Sequence, residues 1–179
     1  MAHLPLAPRP ILQLDPRATI LIAGQASGRN AHEPGARFDD PSGERLRLWL
    51  GIDRATFCDP TLIAILPMGL CLPGTASAGD LPPRPECAPA WRGRLLALLP
   101  RLQLTLVIGS YTQAWQLNPD HKAHNVTDAV GAWRARCPGI LPLPHPSPRD
   151  QRWLRSKPWF EADVLPNLRT RVRELLQSH

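Results

Sequence analysis

Four short apolar runs constrain this chain most: Thr19 to Ala23, Leu62 to Leu66, Leu104 to Ile108 and Ile140 to Leu143. Each is bounded by turn-forming residues and is too short for an ordinary helix, so each reads as a buried strand. None alternates apolar with polar residues. Continuous apolarity means cover on both faces, as in a parallel sheet. Parallel strands need long crossovers, and helical patterns lie between the runs. The expected fold is α/β, a three-layer α/β/α sandwich around a small, mainly four-stranded parallel sheet.

The helical patterns have their own punctuation. Ser42 stands as the cap of a helix carrying Leu46, Trp49 and Leu50 and ending at Gly51. Further helices are expected over Pro89 to Leu99, from Ser110 through Trp115 and from Thr127 through Arg136. The tail from Glu161 to Gln177 puts Val164, Leu165, Leu168, Val172 and Leu175 on one face, with Pro166 in its first turns or at a kink. No repeat or linker interrupts the pattern. Residues 1–179 are therefore expected to form one domain, a length that suits a single core.

Composition narrows the classes. An apolar fraction of 43% excludes wholesale disorder. No run approaches the ~18 residues of a membrane helix, and the proline-broken start lacks the layout of a signal peptide. A cytoplasmic protein with no membrane partner is expected. Of 21 cationic side chains only Lys122 and Lys157 are lysines, and the net charge is +6. Arginine forks suit phosphates and stack on bases, which points to a polyanion, although a coding bias towards arginine gives the same excess. Cys58, Cys71, Cys87 and Cys137 show no C-x-x-C spacing and read as buried thiols.

In open α/β sheets ligands bind beyond the carboxyl ends of the strands. After the first run comes Gly24-Gln25-Ala26-Ser27-Gly28, small residues whose N–H groups a ligand can approach, followed by Phe38-Asp39-Asp40. No Gly-Lys-Ser/Thr follows, so this is not a P-loop. After the second run stands Leu66-Pro67-Met68-Gly69. After the fourth comes Pro144-His145-Pro146-Ser147-Pro148-Arg149, a histidine held between two prolines ahead of two phosphate-binding residue types. From its position Asp40 reads as a turn or helix N-terminal residue ahead of Ser42. In the basic stretch Arg149, Arg152, Arg155 and Lys157, the first two arginines are expected to be functional. Trp159 and Phe160 are expected to dock the last helix.

The Gly-Gln-Ala-Ser-Gly loop, the Phe fourteen residues after its first Gly, and His-Pro-Ser-Pro-Arg near the C-terminus together resemble the uracil-DNA glycosylase superfamily. The resemblance covers roughly Ala18 to Leu176 and implies hydrolysis of an N-glycosidic bond on a base flipped out of DNA. It implies stacking of that base on Phe38. Contacts would come from Gln25, Ala26 and Ser27, with Pro67 and Met68 where a base-reading Asn often stands. His145 would bind the pyrimidine O2 and stabilise the anionic leaving base. Ser147, Arg149 and Arg152 would grip the DNA. The usual acid of the first motif is missing, which makes Asp40 the candidate to place the water. A catalytically weak or inactive DNA- or damage-binding module of the same fold is the alternative. Iron–sulfur branches use a cysteine pair sixteen apart, the spacing of Cys71 and Cys87, with two more towards the N-terminus. No cysteine precedes Cys58, so no metal or cofactor is expected. The expected partner is DNA, and the expected state is a monomer.

Overall fold

The computed structural model describes residues 10–26, 40–71, 73–76, 79–118 and 125–178. Strands β1 (Ile20–Ala23), β2 (Ile63–Ile65), β5 (Leu104–Ile108) and β6 (Ile140–Leu143) form one all-parallel sheet in the order β2-β1-β5-β6. The pairs Ile20 with Ile63, Ile20 with Leu104 and Thr105 with Ile140 set the register. A two-residue hairpin, β3 (Thr75–Ala76) with β4 (Gly79–Asp80), sits in the loop after β2.

Both faces of the sheet are covered, which is why the runs lack alternation. Ile20, Ile22, Ile63, Ile65, Leu104, Leu106, Leu141 and Leu143 belong to one buried cluster. Leu21, Ala64 and Leu66 belong to another, with Leu99 and the half-buried Leu95 and Leu96. The larger cluster is closed by helix α1 (Pro41–Leu50) and helix α7 (Leu165–Gln177), whose Leu46, Trp49, Leu168, Val172 and Leu175 are buried. The smaller is closed by π-helical turns over Ala88–Arg92 that continue as α3 (Gly93–Leu96). This is the expected three-layer arrangement.

Several boundaries differ from expectation. The cap of α1 is Asp40, not Ser42: Pro41 fills the first helical position, where its missing N–H costs nothing, so the capping side chain falls two residues before Ser42. Gly51 ends the helix at φ 68°, as expected. Helix α4 (Ser110–Leu117) is preceded by Gly109, and α5 (Val126–Gly131) is capped by Asn125, whose side chain accepts from Thr127 N–H. Two short helices had no sequence signal, α2 (Arg54–Cys58) and α6 (Gln151–Ser156). Pro166 lies in the first turn of α7.

Candidate active site at the carboxyl edge of the sheet

Because the four strands are parallel, their carboxyl ends share one edge. The chain leaves β1 towards β2 on one side and leaves β5 towards β6 on the other. The crevice between the ends of β1 and β5 is thus the topological switch point, where such sheets bind ligands.

Two glycines let the strand ends close on one another there. The ladder between β1 and β2 continues past both strands: Met68 N–H donates to the Gly24 carbonyl and Gly69 N–H to that of Gln25, each at 2.8 Å. Ala26 and Gly69 form a further parallel bridge. A Cβ on Gly69 would lie 3.2 Å from both Ala26 Cβ and Pro83 Cβ, so the loop after β2 folds back over this point. Gly109, at φ +80°, carries the Gln25 side chain across its Cα: a Cβ there would lie 3.1 Å from Gln25 Nε2. Gly109 N–H donates to the Leu143 carbonyl at 3.1 Å, tying the end of β5 to that of β6. The fully buried Gln113 donates from Nε2 to the same carbonyl at 2.8 Å.

His145 follows two residues later, half-buried beside the buried Pro144 and Pro146. Its Nδ1 accepts from Ser147 N–H at 3.2 Å. With Nδ1 an acceptor, the ring proton of the neutral imidazole sits on Nε2. Ser147 is bound through both its hydroxyl and its carbonyl. Its Oγ accepts from Arg149 N–H at 3.1 Å, and its carbonyl accepts from Asp150 N–H at 3.0 Å and Arg45 Nη1 at 2.8 Å. Arg149 and Arg152 are exposed just beyond, in the turn Pro148–Asp150 and in α6.

Asp40 caps α1: its Oδ1 accepts from Gly43 N–H at 2.8 Å. Arg45, one turn further along that helix, reaches the His145 segment, so the N-terminal part of α1 lies beside it. Pro67 and Met68 are buried at the end of β2. Gln25, Ala26, Pro67 and Met68 therefore meet directly through the β1–β2 pairing, with His145 joined to them through Gly109 and Leu143. Ser27 and Phe38 lie outside the described residues.

Trp153, at the centre of the basic stretch, packs inwards. Its ring meets Phe160 at 5.6 Å and Trp159 at 6.0 Å, and its Nε1–H donates to Thr127 Oγ1 at 2.9 Å. Phe160 is fully buried and Trp159 packs against the main core, the docking role expected of both. Cys71 and Cys87 are half-buried free thiols, and among the described residues no group of three His, Cys, Asp or Glu side chains is placed to hold a metal. Among the described residues no helix is long and apolar enough to cross a membrane.

Four contributors escaped the sequence reading: Arg45, Gln113, Gly69 and Gly109. The two glycines had a visible signal, Gly109 directly after the third apolar run and Gly69 three residues after the second. Arg92 is a fifth special residue. It is 4% exposed, donates from Nη1 to the Leu66 carbonyl at 3.1 Å, and burial pulls its pKa down to about 10.

The described start of the small-residue loop and the histidine segment both lie at the carboxyl edge of a parallel α/β/α sandwich, the edge where such folds bind ligands. The family model of the uracil DNA glycosylase superfamily matches residues 12–169, which include all four strands and both loops. The chain belongs to that superfamily, and a DNA glycosylase-like function in general follows from it.

Proposed function

We propose that this protein is a hydrolase that cleaves the N-glycosidic bond of a flipped-out damaged or deaminated base, uracil or a close relative, in DNA repair. One observation carries the reading. His145 Nδ1 accepts from Ser147 N–H just beyond the carboxyl end of β6, which leaves the ring proton on Nε2. A rigid N–H aimed at a position where negative charge develops is how such a site accelerates bond breaking.

In this mechanism the base leaves the stack and rests on Phe38, against the Gln25-Ala26-Ser27 backbone and the wall made by Pro67 and Met68. The bond between the sugar C1′ and the base nitrogen breaks, and its electron pair stays with the base. Nε2–H of His145 donates to the pyrimidine O2 and stabilises the anion. Water adds at C1′ and its proton ends on the base anion, giving an abasic sugar and the free base. Asp40 orients that water through Oδ2, while Oδ1 continues to cap α1. Ser147, Arg149 and Arg152 hold the flanking phosphates of a DNA bound by the monomer.

The engagement of Asp40 as a cap favours one second reading, a damage-binding module without efficient chemistry. Duplexes containing uracil, hypoxanthine, xanthine or mismatches, scored for alkali-labile abasic sites, separate the two. Cleavage of at least one is expected. Salt-sensitive binding with no cleavage would overturn the enzyme reading.

A further inference from the structure

His145 is oriented by Ser147, and Ser147 is itself gripped from outside its segment. The backbone of Ser147 is engaged on both sides: its N–H donates to His145 Nδ1, and its carbonyl accepts from Arg45 Nη1 at 2.8 Å as well as from Asp150 N–H at 3.0 Å. Arg45 lies 102 residues earlier in the chain, on α1, and its Nη2 donates to Gln151 Oε1 at 2.9 Å. The guanidinium thus spans the loop after β6 and the first residue of α6. A planar fork with fixed donor directions makes both contacts at once; the single ammonium of lysine does not reproduce that geometry.

The platform under Arg45 is rigid. Helix α1 is capped by Asp40 at one end and closed by Gly51 at the other, and Leu46, Trp49 and Leu50 are buried. Arg169 from α7 donates to the carbonyls of Trp49 and Leu48 at 3.3 and 3.0 Å, fixing the rotation of the helix. The carbonyl of Ser147 is thereby held from α1, on the same residue whose N–H meets His145 Nδ1.

We propose that Arg45 is a positioning residue for His145, acting through the Ser147 backbone to hold the imidazole in one tautomer and one orientation. This rests on the reading of His145 as the donor to the leaving base. It assigns Arg45 no contact with DNA.

The test uses the full chain with Arg45→Lys and Arg45→Met. Side-chain 15N NMR reads the His145 tautomer without reference to any activity, and steady-state kinetics on the cleaved duplex separate kcat from KM. The wild-type protein is expected to show the Nε2–H tautomer alone. Both variants are expected to show mixed tautomers and a kcat lowered about 10- to 100-fold, the scale of a slightly misplaced catalytic group, with KM within about twofold. Millimolar guanidinium should restore part of the kcat of Arg45→Met. Arg45→Lys keeps the stem and charge, so it carries the test if the Met variant does not fold. An unchanged His145 tautomer overturns the proposal. So does a rise in KM alone with a shallower salt dependence, which would make Arg45 a phosphate contact. If the wild-type protein cleaves no duplex, the proposed reaction fails while the tautomer still decides the role of Arg45.

Discussion

The imidazole Nδ1 of His145 accepts a hydrogen bond from the backbone N–H of Ser147 at 3.2 Å, across a segment whose Pro144 and Pro146 are both buried. With Nδ1 engaged by the backbone, the ring proton of the neutral imidazole sits on Nε2. Replacing His145 with Ala should lower kcat about 10²- to 10³-fold, the scale for losing one preorganised donor. DNA binding should stay within a few-fold, because Arg149 and Arg152 are untouched. Kinetics beside a salt-titrated binding curve checks this. A variant that loses binding and cleavage in parallel would mark His145 as a DNA contact instead.

Gly109 and Gln25 are coupled by space. At φ +80° a non-glycine residue is strained, and a Cβ would press on Gln25 Nε2 at 3.1 Å. Gly109→Ala should cost about 1–3 kcal/mol of stability and move the Gln25 carboxamide into the crevice, raising KM. Gln25→Ala in the same chain should recover the contact part of the loss but not the backbone part. A denaturant-unfolding double-mutant cycle measures the coupling, and strict additivity would show that the two residues do not interact.

How far the amino-acid pattern reached depended on distance along the chain. The four strands were legible because burial on both faces leaves an uninterrupted apolar run. The hairpin Thr75–Ala76 with Gly79–Asp80 was not, since two-residue strands carry no periodicity. Asp40 and Ser42 are both good caps, and the choice between them turned on Pro41. The loops after β1 and β6 stood out by residue type alone, and the family match spans both. In the sequence Arg45 carries no mark beyond its place in the helical pattern that ends at Gly51. Its partner Ser147 is 102 residues away, and nothing local marks that contact.

Arg92 is a cation buried against the Leu66 carbonyl, and its Nε and Nη2 meet no acceptor among the described residues. Burial alone lowers its pKa, to about 10, so it is still charged at neutral pH. Holding an uncompensated charge in the interior is costly. Arg92→Met fills the same volume without it and should be neutral to stabilising by about 1–4 kcal/mol at pH 7, by analogy with hydrophobic replacement of buried ion pairs. The sign of the linkage follows from the lowered pKa. Between about pH 10 and the unfolded value the unfolded chain binds more protons, so wild-type stability gains on that of the variant as pH rises through this window. Urea midpoints of both proteins at pH 7 and pH 10.5 read the effect. A variant markedly less stable at pH 7 would mean that the bond to Leu66 outweighs the desolvation.

Asp40 joins a structural task to a proposed chemical one, and the two separate by substitution. Its Oδ1 accepts from Gly43 N–H at 2.8 Å, and asparagine performs that capping task about as well as aspartate. Asp40→Asn should therefore leave the thermal midpoint nearly unchanged. Asp40→Ala removes the cap and should cost about 0.5–2 kcal/mol. Catalysis sorts the variants differently. If the second carboxylate oxygen orients the attacking water, both variants lose kcat about 10- to 100-fold, since general-base and positioning effects fall at or above that scale. Stability that follows the cap while kcat follows the charge is the expected pattern, measured by thermal unfolding beside single-turnover cleavage. Full activity in Asp40→Asn would reduce Asp40 to a cap and leave the water to the backbone of Gln25 and Ala26.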